Sequence, residues 1–250
     1  MINAQKALSR FGPRATAIGL ALLTLIPVVV VASAMLNPDQ AIWDHLWRYV
    51  LPELLVNTFW LALGVGVGVT VLGTGLAWLT AACEFPGRAF FAWALLLPLA
   101  LPAYVTAFVW IGLLDFTGVL PTWLRATWGI GALPIRSRGG VILIMVLALY
   151  PYVYLTARTA FQGQGRRLLE AAQTLGVSRW RAFFKIALPM ARPGIVAGLS
   201  LALMETLADF GTVAVFNYNT FTTAIYKAWF SMFSLPAASQ LATILVFFVL

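Results

Sequence analysis

Long apolar runs, separated by short polar and basic clusters, recur along the 250 residues of this chain. About twenty apolar residues cross a bilayer as a helix, and on that measure the pattern predicts about six transmembrane helices. They fall at Ala15–Leu36, Val56–Cys83, Ala89–Leu113, Gly139–Phe161 and Pro193–Val215, with a last one beginning near Ala238. Only about a dozen apolar residues of that last run precede the end at Leu250, so it reads as a truncated helix. The stretch Phe116–Ile130 is broken by Gly118 and Pro121 and reads as an interfacial helix or a re-entrant piece. At the start, Lys6, Arg10 and Arg14, an apolar run and Ala32-Ser33-Ala34 imitate a cleavable secretory signal. The run is longer than the usual signal core of about 7–15 residues, which favours an uncleaved helix behind a polar segment at 1–14.

Composition agrees with that pattern. The chain is 62% hydrophobic and 10% charged, with a mean hydropathy of +0.91, beyond what a water-soluble domain sustains. The expected class is an all-α, polytopic membrane protein. One Cys and one His exclude a disulfide framework and a His/Cys metal cage. Cys83 reads as packing, and His45 beside Asp44 as a solvated loop residue.

The net charge of +8 is distributed by topology. Lys6, Arg10, Arg14, Arg88, Arg158, Arg166, Arg167, Arg179, Arg181, Lys185 and Arg192 fall on one side of the spans; Arg48, Arg125, Arg136, Arg138 and Lys227 fall on the other. Eleven against five predicts a cytoplasmic amino terminus. Trp43, Trp47, Trp110, Trp123 and Trp128 then gather toward the outer interface, where an indole buries its ring and keeps its N–H wet. Because the basic residues flank spans and form no patch interleaved with stacking aromatics, nucleic acid is not an expected partner. Gly64, Gly66, Gly68, Gly73 and Gly75 lie inside a span with no strand before them, so they cannot form a phosphate-cradling turn. Gly64 and Gly68, four apart, instead let another helix approach closely.

The loop at 162–190 carries the densest motif: Glu170-Ala171-Ala172, three residues, Gly176, nine residues, then Ile186-x-Leu188-Pro189. Leu168–Lys185 has helix-forming composition, Gly176 permits a turn or a close approach, and Pro189 is expected to end the pattern before the next span. A lone Glu-Ala-Ala would be an ordinary solvated loop. Matched positions at fixed spacing in so apolar a chain favour a docking element.

At membrane depth the topology leaves two acidic residues, Glu205 and Asp209, with no Lys or Arg beside them. Four apart, they are expected to share a helix face, roughly 18 and 24 Å in from Pro193. A carboxylate there costs on the order of 2.5–3.5 kcal/mol near the bilayer centre, so the pair must face protein or water. Two readings follow with equal support: they line a translocation path, or they brace neighbouring helices. If they line a path, their sign favours a cation over an oxyanion such as sulfate, phosphate or molybdate. Tyr150, Tyr152 and Tyr154 bracket Pro151, and Tyr104 follows Pro102; their oxygens suit a hard metal ion and suit packing equally. Tyr150 and Tyr152 join the candidate path residues, without a stable metal site. Pro98, Pro102 and Pro151 are expected to kink their helices.

Together with the loop motif, Phe85-Pro86-Gly87-Arg88, Leu97-Pro98-Leu99-Ala100, Leu149-Tyr150-Pro151-Tyr152-Val153-Tyr154, Met204-Glu205-Thr206-Leu207-Ala208-Asp209-Phe210-Gly211-Thr212-Val213 and Thr220-Phe221-Thr222-Thr223-Ala224-Ile225-Tyr226 resemble the ferric-iron permeases of bacterial ATP-binding-cassette (ABC) importers. The resemblance runs from about Asn57 to Leu250 and implies a type I, MetI-like transmembrane domain over 56–250. It also implies a multi-pass inner-membrane permease that is not itself an enzyme and binds no cofactor. Substrate would come from a periplasmic binding protein, and two ATPase subunits using ATP and Mg would supply the energy. Glu170, Ala171, Ala172 and Gly176 match the family's ATPase-docking motif, which Ile186, Leu188 and Pro189 extend; Glu205 and Asp209 match a family segment in position. Such permeases usually hold two halves in one polypeptide, and this chain has one loop motif. It therefore reads as the amino-terminal half of a fused permease, needing a second half or a second copy to enclose a path. Thiamine, a polyamine or another cationic solute stays open beside iron. A secondary transporter or channel would explain the spans but not the loop, and an intramembrane enzyme would need a nucleophile or metal dyad at depth.

Overall fold

Inside a bilayer every backbone N–H and C=O has to be satisfied within its own segment, which leaves an apolar chain of this kind the helix. The computed structural model of the chain describes residues 2–36, 40–129, 134–163 and 176–249, and among them there is no strand. The helices are α1 (Ile2–Ser33), α2 (Gln40–His45), α3 (Leu51–Ala82), α4 (Arg88–Ala94), α5 (Ala103–Leu114) and α6 (Val119–Trp128). There follow α7 (Arg138–Gly163), α8 (Arg179–Ala182), α9 (Leu188–Ala208), α10 (Gly211–Val215), α11 (Phe221–Phe230) and α12 (Leu235–Val249). Among the described residues five helical stretches are long and apolar enough to cross a membrane: Ala15–Leu36, Trp43–Ala82, Ala103–Trp128 (interrupted at 115–118), Arg138–Gly163 and Trp180–Ala208. The chain divides into two units, Met1–Pro52 with Ala224–Leu250, and Glu53–Thr223.

In the larger unit α7 is the central helix, with Val141, Ile144, Met145, Val153 and Tyr154 fully buried. Small residues decide what lies against it. A β-carbon added at Gly64 would stand 2.6 Å from Ile142 Cδ1, one at Gly68 would strike Val146, and one at Gly73 would stand 2.8 Å from Val153 Cβ. The partners advance in the same direction along both helices, so α3 and α7 run parallel, and their close range is what the spacing of Gly64 and Gly68 predicts. Gly194 faces Ala160 and Thr156 while Gly198 faces Thr156 and Val153, which sets α9 antiparallel to α7.

Parallel α3 and α7 require the chain between them to return along the bundle. The sequence predicts one helix, Ala89–Leu113, for that return; the structure breaks it. α4 ends at Ala94, a single 3-10 turn occupies Leu97–Ala100, the chain is extended at Leu101, and α5 starts at Ala103. Pro98 and Pro102 do more than kink, because each lacks the N–H that would carry the ladder on. α6 then forms a short separate helix after Gly118, set off from α5 by the turn at 115–118.

The span expected over Pro193–Val215 is also interrupted. α9 ends at Ala208, Asp209 is extended (φ −66°, ψ 125°), and the five-residue α10 follows. At its other end Pro189 does not stop the helix. A π-helical turn, Phe183–Ala187, joins α8 to α9, and Leu188 N–H bonds to Phe183 O, five residues back. That wider turn absorbs the proline, so helix runs on from Trp180 to Ala208.

In the smaller unit α1 presents Ile18, Leu22, Leu25 and Val29 outward, a surface for lipid. Its far end meets α12, where Gln240 Nε2 donates to Ala34 O (3.0 Å) and Thr243 Oγ1 to Val31 O (3.1 Å). α12 starts at Leu235, ahead of the expected Ala238.

Candidate functional site

The break between α4 and α5 opens a cleft of about 220 Å³ lined by Pro98–Ala103, by Ala148, Leu149 and Tyr152 of α7, and by Glu205 of α9. Glu205 is the only ionisable group besides the Tyr152 phenol in that lining. Among the described residues no donor is bonded to its carboxylate, which is exposed at the cleft. No Lys or Arg joins it in that lining. The structure thus brings Glu205 and Tyr152 together, with extended backbone at Leu101 facing them.

Asp209 and Tyr150 go elsewhere. Asp209 closes α9, its N–H still bonded to Glu205 O (2.9 Å), but it is absent from the cleft lining and does not join Glu205 there. Its carboxylate turns to the start of α10: Oδ1 accepts from Thr212 N–H (2.7 Å) and Val213 N–H (3.4 Å), and Oδ2 from Thr212 Oγ1 (2.9 Å). Thr222 Oγ1 donates to the Asp209 carbonyl at 2.8 Å. A carboxylate that caps a helix start satisfies donors nothing else at that depth would meet. Tyr150 is 7% exposed and sends its hydroxyl to Leu95 O at 2.9 Å, away from the cleft lining.

Of the loop motif, Glu170, Ala171 and Ala172 lie outside the described residues. Gly176 has φ +79°, a left-handed turn, and a β-carbon there would meet nothing within 4 Å, so the turn rather than a close approach within this chain explains the glycine. Leu188 and Pro189 open α9, and Ile186 lies in the π-helical turn before it. Phe183, in that same turn, packs its ring 4.8 Å from Trp78 of α3, which lies 5.3 Å from Phe161 of α7. This aromatic cluster fastens the end of the loop to the ends of two spans. Trp180 and Phe184 stack nearby on the exposed face.

At the opposite end of the same helices is a polar network that single-residue reading missed. Arg138 donates to Tyr218 Oη and Asn57 Oδ1 (both 3.2 Å), Asn57 Nδ2 to Asn219 O (3.1 Å), and Asn219 Nδ2 to Glu53 Oε1 (3.1 Å). Arg136 bridges Asp115 at 3.2 Å, about half exposed and so of little energetic weight. The sequence signal was an Asn and a Glu at the entrance of an apolar span, each needing a partner.

Packed apolar helices, two of them interrupted beside an ionisable cleft, are the architecture of a membrane transport subunit. Residues 73–250 match the family described as binding-protein-dependent transport system inner membrane component, and the chain belongs to that family. Over 203 residues it is 34% identical to the Fe(3+)-transport system permease protein FbpB 2 of Haemophilus influenzae, covering 81% of this chain and 37% of that protein. Over 199 residues it is 32% identical to the molybdenum transport system permease protein ModB of Escherichia coli, covering 79% and 84%. The sulfate transport system permease protein CysT of Escherichia coli is 26% identical over 238 residues, covering 89% and 82%. The chain therefore spans just over a third of the iron permease and most of the other two. In a bacterial ABC transporter involved in import of the acidic polysaccharide alginate, one chain superposes with a TM-score of 0.75 at 18% identity, over 99% of this chain and 96% of that one. A chain of the inward-facing MetNI methionine ABC transporter does so with a TM-score of 0.58 at 15% identity, over 85% and 93%. These likenesses show the fold, the type I permease fold expected from the sequence.

Proposed function

We propose that this chain is the transmembrane permease subunit of an ABC importer that carries a cation, ferric iron foremost, across the inner membrane. Separate ATPase subunits would dock on the segment from Glu170 to Pro189, with Gly176 at its turn and the Phe183 cluster passing movement to α3 and α7. A periplasmic binding protein would deliver substrate at the end marked by Arg138, Asn57 and Asn219, and the amino terminus would lie in the cytoplasm. The chain would act with a second permease half or a second copy.

The observation that carries the substrate reading is the cleft itself: one carboxylate, Glu205, with no hydrogen-bond partner among the described residues, beside Tyr152 and with no basic side chain in the lining. A conduit attracts its ion without caging it, and a single carboxylate with backbone carbonyls near a helix break fits that need. Asp209 takes the bracing role, since its oxygens are already engaged by α10. The iron permease's 34% identity supports the same reading. A second reading, an oxyanion substrate, draws on the molybdenum and sulfate permeases among the relatives.

Radiotracer uptake in cells with and without the gene separates them. Loss of iron uptake, with molybdate and sulfate unaffected, is the expected result. Loss of molybdate or sulfate uptake instead overturns the cation and leaves the importer standing. Uptake that continues when cellular ATP is exhausted but an ion gradient is kept overturns the importer.

A further inference from the structure

We propose that Tyr150 and Tyr154 are positioning residues for the transport path: they replace two of the backbone hydrogen bonds lost where the helix breaks between α4 and α5, and so hold the lip of the Glu205 cleft in place. The proposal rests on the importer reading for its consequence in transport, but not for its geometry.

In a continuous helix the Ala92 carbonyl would accept from Leu96 N–H, and the Leu95 carbonyl from Leu99 N–H. Neither bond forms. Leu96 N–H turns to Trp93 O (2.9 Å) and Leu99 N–H to Leu96 O (3.0 Å), the tighter pattern forced ahead of Pro98. Two carbonyls are thereby released in an apolar setting, where water cannot take the missing donor's place. Tyr154 Oη donates to Ala92 O and Tyr150 Oη to Leu95 O, both at 2.9 Å. The tyrosines are four apart on α7 and the carbonyls three apart on the broken segment, so one helix face meets both orphans.

Two further contacts fix the segment at its other end. Arg88 Nε donates to Thr80 O (2.7 Å) and a terminal guanidinium nitrogen to Ala81 O (3.0 Å), closing the last carbonyls of α3. Thr80 Oγ1 in turn donates to Tyr154 Oη at 3.2 Å. α4 is held at its start by Arg88 and at its end by the tyrosine pair, and the residues released just beyond it, Pro98–Ala103, form the wall opposite Glu205. Tyr154 is fully buried and neither phenol lines the cleft, so the pair acts on substrate through the lip and not by touching it.

The test places Leu99→Cys, in a Cys83→Ala background, as a reporter on the lip, and reads its reaction with a polar maleimide in membranes of the full importer. Tyr150→Phe and Tyr154→Phe keep ring volume and remove only the hydroxyls. Each is expected to change the Leu99→Cys labelling rate by about tenfold, the scale set by one unsatisfied buried carbonyl, and to lower transport per assembled complex by a similar factor. The single variants are compared first; labelling needs insertion but not assembly, so a double variant that assembles poorly still reports. Unchanged labelling in both single variants overturns the positioning role. Changed labelling with transport per complex at the parent level shows a lip that transport does not use, and overturns its functional half. Fewer complexes with parent-level turnover in each would reduce the pair to a folding element. Absence of ATP-driven uptake in the parent, with labelling still responsive to Tyr→Phe, sinks the importer reading and spares the geometry.

Discussion

Glu205 and Asp209 share a charge and a short segment of sequence, yet their surroundings give them opposite tasks. Asp209→Ala removes the acceptor for Thr212 and Val213 N–H and should cost about 1 kcal/mol, a capping-scale loss visible as a lower melting temperature in detergent. Asp209→Asn, which keeps one amide oxygen, should recover much of that. Glu205→Gln should leave melting unchanged, since no described donor depends on its charge, and should cut uptake of the cation. Full iron-limited growth of Glu205→Gln at parent expression would remove the electrostatic role assigned to the cleft.

Helices in this protein are set by what they lack as much as by what they carry. Gly73 leaves room for Val153 Cβ and the Tyr150 carbonyl, each within 3 Å of an added β-carbon, so Gly73→Leu should overpack the α3–α7 seam and cost about 1–3 kcal/mol, read by thermal unfolding of the purified protein. Gly176 is the contrasting case. Its φ of +79° alone resists a side chain, with open space around it, so Gly176→Ala should cost about 1 kcal/mol locally and leave the spans unmoved. Gly176→Glu adds charge at the proposed docking turn. It should reduce copurification of the ATPase while membrane insertion survives; normal copurification together with normal transport would end the docking assignment.

For the whole molecule the charge count and the helix directions make one map. α3 and α7 run parallel and α9 returns, so Arg138, Asn57 and Asn219 mark one end of the larger unit while Trp78, Phe161 and Phe183 mark the other. If the basic end is cytoplasmic, Thr117→Cys in a Cys83→Ala background should react with an impermeant maleimide on intact spheroplasts, and Ser178→Cys should react only after lysis. Thr117 is exposed and makes the cleaner probe than Asn219, whose side chain is engaged with Glu53. Labelling of Ser178→Cys in intact spheroplasts would invert the map.

Apolar run length determined most of the helices, because the bilayer imposes one length and one backbone conformation on whatever crosses it. Ala15–Leu36 and the span now seen as α7 were legible at nearly their final bounds for that reason, while α3 starts at Leu51, ahead of the expected Val56, in a helical stretch that reaches back to Trp43. Glycine spacing likewise announced close helix contact, though not which helix would come. What the sequence left undecided is where helices stop inside the apolar runs. Pro98 and Pro102 break the chain while Pro151, Pro189 and Pro193 are carried within or at the start of helices, and the difference lies in the surroundings. Tyr150 and Tyr154 stand ready for the carbonyls released before Pro98, and a π-helical turn absorbs Pro189. Asp209 looked like a second path carboxylate because spacing puts it on the face of Glu205; only the tertiary structure, which brings the start of α10 to its oxygens, turned it into a cap and left Glu205 as the carboxylate of the cleft lining.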